Sequence, residues 1–535
     1  MDNLYLMDIF KRKFVFTLFA VVGISLFFSG CHRSSGNYSI LDYGANGDGK
    51  AINTKAFNSA ISSCNRNGGG IVEVPPGKFV SGSIHLLSNV TLRLAAGATI
   101  IGSSDISQYY TSDQPIFNED YSSYGLIYAT DAVNIGIEGS GEINGNGTLF
   151  MAPNDKPHVG GDFERKYTRQ GEQFMPEGNT FEDGPVLCPN RPLVMILFER
   201  CENIHLRDVT LKDSPFWTVR IGNSDNAVVS GISILNNMLI PNSDGIHTTD
   251  SRNVRISDCN IVAGDDAIIV SGLGREPAPG DSAFSKDSKA IGNKTGIAEN
   301  VTVTNCVLSS RSAGVRIGYG RRPIRNCVFS NLVIYDSNRG IGVFAREKSQ
   351  IENILFQNIV MHTRLHSGHW WGKGEPIHIS AVPNVLNGNS GKISNIRFTD
   401  ITAYAETGIL VYGNKESIID NVSFNRVQLT IARGKNSDSY GGNFDLRPSQ
   451  PLSEALFKHD IPGLYARFVH NMVIDGFELY WGKDLPDYFS NGIEVSNFNG
   501  LRITDFRGKE AFSNKGNLPI KLGTGTGSSI STAVK

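Results

Sequence analysis

A short pattern recurs along this chain: Asn, apolar, any residue, apolar, any residue, Asp/Asn/Gly, apolar. Its copies are NIHLRDV from Asn203, NAVVSGI from Asn226, NVRISDC from Asn253, NVTVTNC from Asn300 and NCVFSNL from Asn326. NILFQNI from Asn353, NIRFTDI from Asn395, NVSFNRV from Asn421, NMVIDGF from Asn471 and NGLRITD from Asn499 follow. The shorter spacings run from 23 to 28 residues. Apolar residues alternating by two mark strands, and there is no helical period. Strands repeating at this interval specify a parallel β-solenoid, in which each copy is one rung and the apolar positions stack inward. The intervals from 253 to 300, 353 to 395 and 421 to 471 are longer. Each is one rung carrying an insertion, or two rungs. The repeated asparagines are expected to bond along the stack at its turns.

Insertions in a solenoid become loops, often on the binding face. The largest here are residues 107–129, 150–191, 271–299, 363–392 and 432–470. From Thr54 to Cys64 the apolar spacing is helical, with Thr54 in the N-cap position. Such a helix can cover the open end of a coil. The expectation is an all-β chain: one solenoid over residues 39–510, a capping helix, long loops and a flexible Gly/Ser/Thr-rich tail over 511–535.

Residues 1–30 read as a targeting segment. Lys11, Arg12 and Lys13 precede an apolar run over 14–28, too short for a comfortable membrane span, and Ser29-Gly30-Cys31 closes it. This resembles a bacterial lipoprotein signal, cleaved before Cys31 and lipidated there, with 31–38 as linker. Phe28 stands where such signals usually carry Leu, so an ordinary secretory signal is the alternative. Both imply export, with the lipid on Cys31 as the only membrane contact.

Lys and Arg number 50 against 52 Asp and Glu, a formal net charge of −2. That argues against a general nucleic-acid binder, which carries a basic excess. Cys259, Cys306 and Cys327 fall in similar places of the repeat. They are expected as a stacked apolar row rather than as disulfides. No C-x-x-C pair occurs, so no zinc site is expected. A monomer without metal or cofactor is the working picture.

Candidate chemistry lies in NSDGIHTTDSRNVRISDCNIVAGDDAIIV, from Asn242 to Val270. Asp265 and Asp266 follow Asp244 by 21 and 22 positions, about one rung. Stacked rungs would bring the three together, and clustered carboxylates repel, raising at least one pKa. A protonated acid beside a carboxylate suits glycoside hydrolysis. Turn-forming aspartates, a calcium site or a lyase site are the other readings of the same acids.

Ser214-Pro215-Phe216-Trp217, Asn242-Ser243-Asp244-Gly245 and Gly264-Asp265-Asp266-Ala267, with DYGANGDGK and GGGIVEVPPGKF upstream, resemble glycoside hydrolase family 28, the polygalacturonase family. The resemblance runs from about Ile40 into the 420s. It implies a right-handed parallel β-helix and inverting hydrolysis of pectic α-glycosidic bonds without a cofactor. It implies Asp265 as general acid, and Asp244 and Asp266 as the pair holding and activating water. Two motifs depart from the family. Ser312-Ala313-Gly314 stands for Gly-His-Gly, and Gly342-Val343-Phe344 for the Arg-Ile-Lys that grips the galacturonate carboxylate. Arg311, Arg316, Arg346 and Lys348 are nearby candidates to replace that grip.

The loop HTRLHSGHWWGKGEPIHIS adds His366, His369, Trp370, Trp371 and Lys373. Flat aromatics can stack on sugar rings or simply pack their own loop. Asn242 and His247 are candidates to line the same cleft. The expected partner is an acidic polysaccharide or oligosaccharide, with exo action suggested by the long loops. A β-helical lyase and a non-catalytic glycan-binding surface protein are the alternatives.

Overall fold

The computed structural model describes residues 36–110, 124–152, 161–174, 182–273, 291–386 and 388–531. The targeting segment and Cys31 lie outside the described residues, as do parts of the insertions over 107–129, 150–191 and 271–299. Thirty-three strands form one continuous sheet wound into a right-handed parallel β-helix. A separate antiparallel pair joins Asn443–Asp445 to Leu456–Lys458.

Each copy of the repeat is one rung. Ile204, Ala227, Val254, Val301, Cys327, Ile354, Ile396 and Val422 stack in register along the first face. The three long intervals each prove to be one rung plus an insertion, since Val254 pairs with Val301 and Ile354 with Ile396, while Ser423 pairs with Val473. Phe329, Phe356, Phe398 and Phe424 form an inner column with successive ring centroids 5.0 Å apart. Rings stacked at the rung spacing bury large apolar areas without strain.

The asparagines sit at left-handed turns, for example Asn226 at φ 56°, Asn353 at φ 58° and Asn395 at φ 57°. Their amides form a ladder: Asn203 donates to Asn134 at 3.0 Å, Asn226 to Asn203 at 2.7 Å and Asn395 to Asn353 at 3.1 Å. In the last rung the register assigns the repeat position to Gly500 rather than Asn499, because Met472 pairs with Leu501.

Four other expectations change. Cys259 and Cys306 stack, but Cys327 lies in the neighbouring column beside Val301, because it stands second in its repeat copy rather than last. The end helix spans Thr54–Arg66 and buries Phe57, Ala60, Ile61 and Cys64, with Asn53 rather than Thr54 at the cap. Thr54 Oγ1 instead accepts the Gly82 amide at 2.8 Å. The tail is not a loose end. Ile520–Leu522 and Gly525–Ser531 continue the sheet by pairing with Ile493–Thr504, and Gly36–Ser39, expected as linker and coil start, pairs with Gly70–Val74.

A third face, running through Val219–Gly222, Ile246–Thr249, Ile268–Gly272, Ala313–Gly320, Arg339–Phe344 and Glu375–Ser380, carries the acids. The insertions that begin after Asn144, Thr363 and Ile431 all leave the turn that feeds this face. Loops from distant parts of the sequence therefore gather along one edge.

Candidate active site

Each acid stands in a turn entering the third face. Asp244 precedes Ile246–Thr249, and Asp265 and Asp266 precede Ile268–Gly272. Ile246 pairs with Ile268, and the Gly245 amide donates to the Asp266 carbonyl at 2.9 Å. Asp244 and Asp266 therefore face each other on adjacent rungs, about 4.8 Å apart in backbone. Two glycines permit this approach. A Cβ on Gly245 would meet the Ala267 carbonyl at 2.3 Å, and one on Gly264 the Ile240 carbonyl at 2.4 Å.

All three acids are buried, at 2% exposure for Asp244, 6% for Asp265 and 4% for Asp266. Burial, then the charge of Asp266, pushes the Asp265 carboxyl up to about 7, against the opposing pull of Arg316. Burial, then the charges of Asp265 and Asp266, pushes Asp244 well above the ordinary carboxylate range. Asp244 Oδ1 has no hydrogen-bond partner among the described residues. Asp266 is differently held. Its Oδ1 accepts the Ala313 amide at 2.9 Å, and its Oδ2 accepts Arg316 Nε. Burial opposes the Arg316 charge, but Asp266 beside it wins, so the guanidinium pKa rises.

His247 is fully buried beside the acids. Its Nε2 lies 2.9 Å from Ser271 Oγ, its Nδ1 3.9 Å from Asp244 Oδ2, and its ring against Trp217. Burial, then Arg316 and Arg220, depresses its pKa well below the usual value and keeps the imidazole neutral.

The remaining sequence candidates divide. Arg316 sits at the acids, bonded to Asp266 rather than free. Arg311 pairs with Asp336 at 3.3 Å. Arg346 is wholly buried, its guanidinium 4.9 Å from the Phe344 ring and its Nη2 3.4 Å from the Arg447 carbonyl. At 0% exposure it is out of a substrate's reach. Lys348 is exposed on the following turn. Asn242 accepts Arg191 Nη2 at 3.0 Å. Trp370 is 2% exposed and donates its indole N–H to the Asp183 carbonyl at 3.0 Å, so it packs the loop. Trp371 is exposed, with the Arg447 guanidinium 5.3 Å from its ring centroid.

His369 joins a wall that no local motif announces. Its Nδ1 lies 2.8 Å from Glu164 Oε1, which also accepts Arg447 Nη1 at 2.5 Å. Arg447 grips Asp445 through Nε at 2.8 Å and Nη2 at 2.9 Å, and Asp445 Oδ2 accepts the Gly372 amide at 2.7 Å. The wall is rooted beyond the acids, where the Asp445 amide donates to Glu375 Oε1 at 3.0 Å. Asp266 faces Ala313, which pairs with Arg339, which pairs with Glu375, so the root lies three rungs on. Among the described residues no group of His, Cys, Asp or Glu is arranged to hold a metal ion, and no helix is long and apolar enough to cross a membrane.

The sequence model of glycosyl hydrolases family 28 matches residues 64–442. The chain belongs to this family. A probable polygalacturonase of Vitis vinifera is 34% identical over 244 residues, 43% of this chain and 43% of that protein. An exo-poly-alpha-D-galacturonosidase of Dickeya chrysanthemi is 27% identical over 334 residues, 55% of each. The chain thus matches about half the length of these relatives. A family 28 exopolygalacturonase of Yersinia enterocolitica shares the fold at a TM-score of 0.59 and 18% identity, over 89% of this chain and 80% of that one. Against the family pattern, Ala313 offers only its amide to the acids. The strand Gly342-Val343-Phe344 presents an aromatic ring flanked by Arg339 and Arg346, at 5.0 and 4.9 Å.

Proposed function

We propose that the protein is an exported glycosidase that hydrolyses a pectic or similarly acidic glycan with inversion, working from a chain end. The observation that carries this reading is the state of the carboxyl cluster. Burial and the charge of Asp266 push Asp265 up to about 7, so it keeps its proton through the acidic range, while Asp266 accepts a guanidinium and an amide. A carboxylic acid beside a carboxyl that is bonded to a guanidinium is the pairing that glycoside hydrolysis needs. Asp265 protonates the departing glycosidic oxygen. Asp244 and Asp266 hold the attacking water, which would satisfy the buried, unpartnered Asp244 Oδ1. Inversion follows the family's chemistry, in which water enters opposite the acid.

Exo action is supported by the ion-paired wall of Glu164, His369, Asp445 and Arg447, rooted on the same face three rungs beyond the acids, and by the exo activity in the name of the Dickeya relative. Because the family's uronate grip is replaced by Gly342-Val343-Phe344, the sugar at the cleavage point differs from plain galacturonate. A screen of pectic fragments and other polysaccharides, with anomeric NMR of the products, tests all three points. Inverted reducing-end sugars released one or two units at a time are expected. Unsaturated products would indicate a lyase, and binding without product a non-catalytic glycan receptor.

We further propose that Cys31 carries a lipid that anchors the enzyme to a bacterial membrane, as the segment before it indicates. Radiolabelled palmitate should enter the wild type and not Cys31→Ser. Equal labelling of both would remove the anchor.

A further inference from the structure

Arg316 is not part of any family motif named above, yet it bonds directly to the acid cluster. Its Nε donates to Asp266 Oδ2, its Nη1 donates to the Gly318 carbonyl at 2.5 Å, and its guanidinium lies 4.7 Å over the Tyr319 ring. The side chain is 8% exposed. With the Ala313 amide on Oδ1, both oxygens of Asp266 are engaged by donors. Arg316 stands three residues after Ala313, on the strand whose histidine the family would place beside the acids.

The charge count shows what a cation does here. Three ionised carboxylates in one buried cluster carry −3, a state that burial and repulsion forbid. A fixed guanidinium brings this to −2, and one retained proton to −1. The other groups facing the cluster do not provide that cation. His247 is buried and neutral. Arg220, in the same outward row through its pairing with His247, bonds Glu199 at 2.9 Å. Tyr319 is a buried phenol, and Arg346 lies beyond it against Phe344.

Resting on the reading of this site as an inverting glycosidase, we propose that Arg316 is a positioning residue that compensates for the missing histidine. It pins Asp266 in one orientation and supplies the fixed positive charge beside Asp244 and Asp265, so that the cluster can release protons that burial and mutual repulsion would otherwise hold. Its guanidinium is committed to the acids and does not grip the substrate carboxylate. An arginine suits this task because its planar fork stays charged when buried and bonds in a fixed direction.

The test compares Arg316→Gln and Arg316→Lys with wild type. It reads the pH profile of kcat and KM on the substrate found by the screen. It also reads the titration of aspartate carboxyl carbons by 13C NMR, with Asp244→Asn and Asp265→Asn giving the assignments. A nearby opposite charge shifts a carboxyl by about 1–3 units. Removing it in the Gln variant should move both limbs of the profile, and both NMR titrations, upward by at least about one pH unit. KM should change little, because a residue that makes no contact with the substrate contributes no uniform binding. The Lys variant keeps the charge, so its limbs should stay near wild type while kcat falls, because the two-point hold is lost. A large rise in KM with unmoved limbs would make Arg316 a substrate clamp and overturn the proposal. So would a Lys variant whose limbs move as far as those of Gln. Should the wild type hydrolyse no glycan, the functional reading fails. The NMR titrations then decide alone: unmoved carboxyls in a folded Gln variant overturn the assignment, and if Gln does not fold, a Lys variant whose carboxyls move upward by a full unit overturns it.

Discussion

Asp265 Oδ1 accepts the backbone amide of Asp266 at 2.9 Å, and beyond that bond the two carboxyls have different partners. Asp266 is taken by Ala313 and Arg316, whereas Asp265 is left with a raised pKa of about 7. Asp265→Asn should therefore lower kcat by about 10²–10⁴, the usual range for a general acid, measured on the substrate from the screen. Its stability should change in the other direction. A folded pKa above the unfolded value means that ionising Asp265 opposes folding. The wild type loses that stability as pH rises from about 4 towards 7. The amide does not ionise, so the melting temperature of Asp265→Asn relative to wild type should improve between pH 4 and pH 8. A constant difference across that range would show that Asp265 is not strained by its charge.

Asp266→Asn should do the opposite. An amide has one oxygen where the carboxylate has two, so either the Ala313 amide or Arg316 Nε would face an N–H₂. Removing one partner of a buried pair costs about 3–5 kcal/mol. The expected result is a lower urea midpoint together with lost activity. An unchanged midpoint would mean that the pair is not formed.

The ion-paired wall gives a prediction about products. Arg447 holds Glu164 and Asp445 with a side chain 12% exposed. Arg447→Met keeps the stem but frees both acids, and Trp371 loses its cover. Early digests should shift from one- and two-unit products towards longer fragments as chain interiors reach the acids. Chromatography of the first few per cent of conversion reads this directly. A product ladder identical to wild type would show that the wall does not set the cleavage mode.

The rungs were legible because the repeat is local. Each Asn and its alternating apolar residues lie within seven positions, and the stack follows from repeating them. The acids were legible for the same reason, since one rung separates them. Arg447, Glu164 and Asp445 were not, because insertions of unrelated sequence bring them together and no spacing records it. Arg316 and Arg346 show the same limit. Their positions suggested four interchangeable cations, but one is bonded to Asp266 and another is sealed against Phe344. The tail misled for a physical reason. Its Gly and Ser composition signals disorder, yet an exposed sheet end gives such a segment hydrogen bonds to join. Cys327 leaves the cysteine row because it stands second, not last, in its copy of the repeat, and Leu332 takes the place beside Cys306.

The asparagine ladder makes separable claims about backbone and side chain. Asn395 adopts φ 57°, donates to Asn353 at 3.1 Å and accepts Asn421 at 2.6 Å. Asn395→Gly loses the two side-chain bonds but tolerates the left-handed turn. Asn395→Ala loses both bonds and also pays for the conformation, about 1–2 kcal/mol for a non-glycine residue. Exposed amide bonds contribute roughly 0.5–1.5 kcal/mol each. The urea midpoints should therefore fall in the order wild type, Gly, Ala, with the Gly-to-Ala step comparable to the first. If Ala matched Gly, the left-handed turn would not be enforced at this rung. If Gly matched wild type, the ladder would be a consequence of stacking and would contribute nothing to holding the rungs in register.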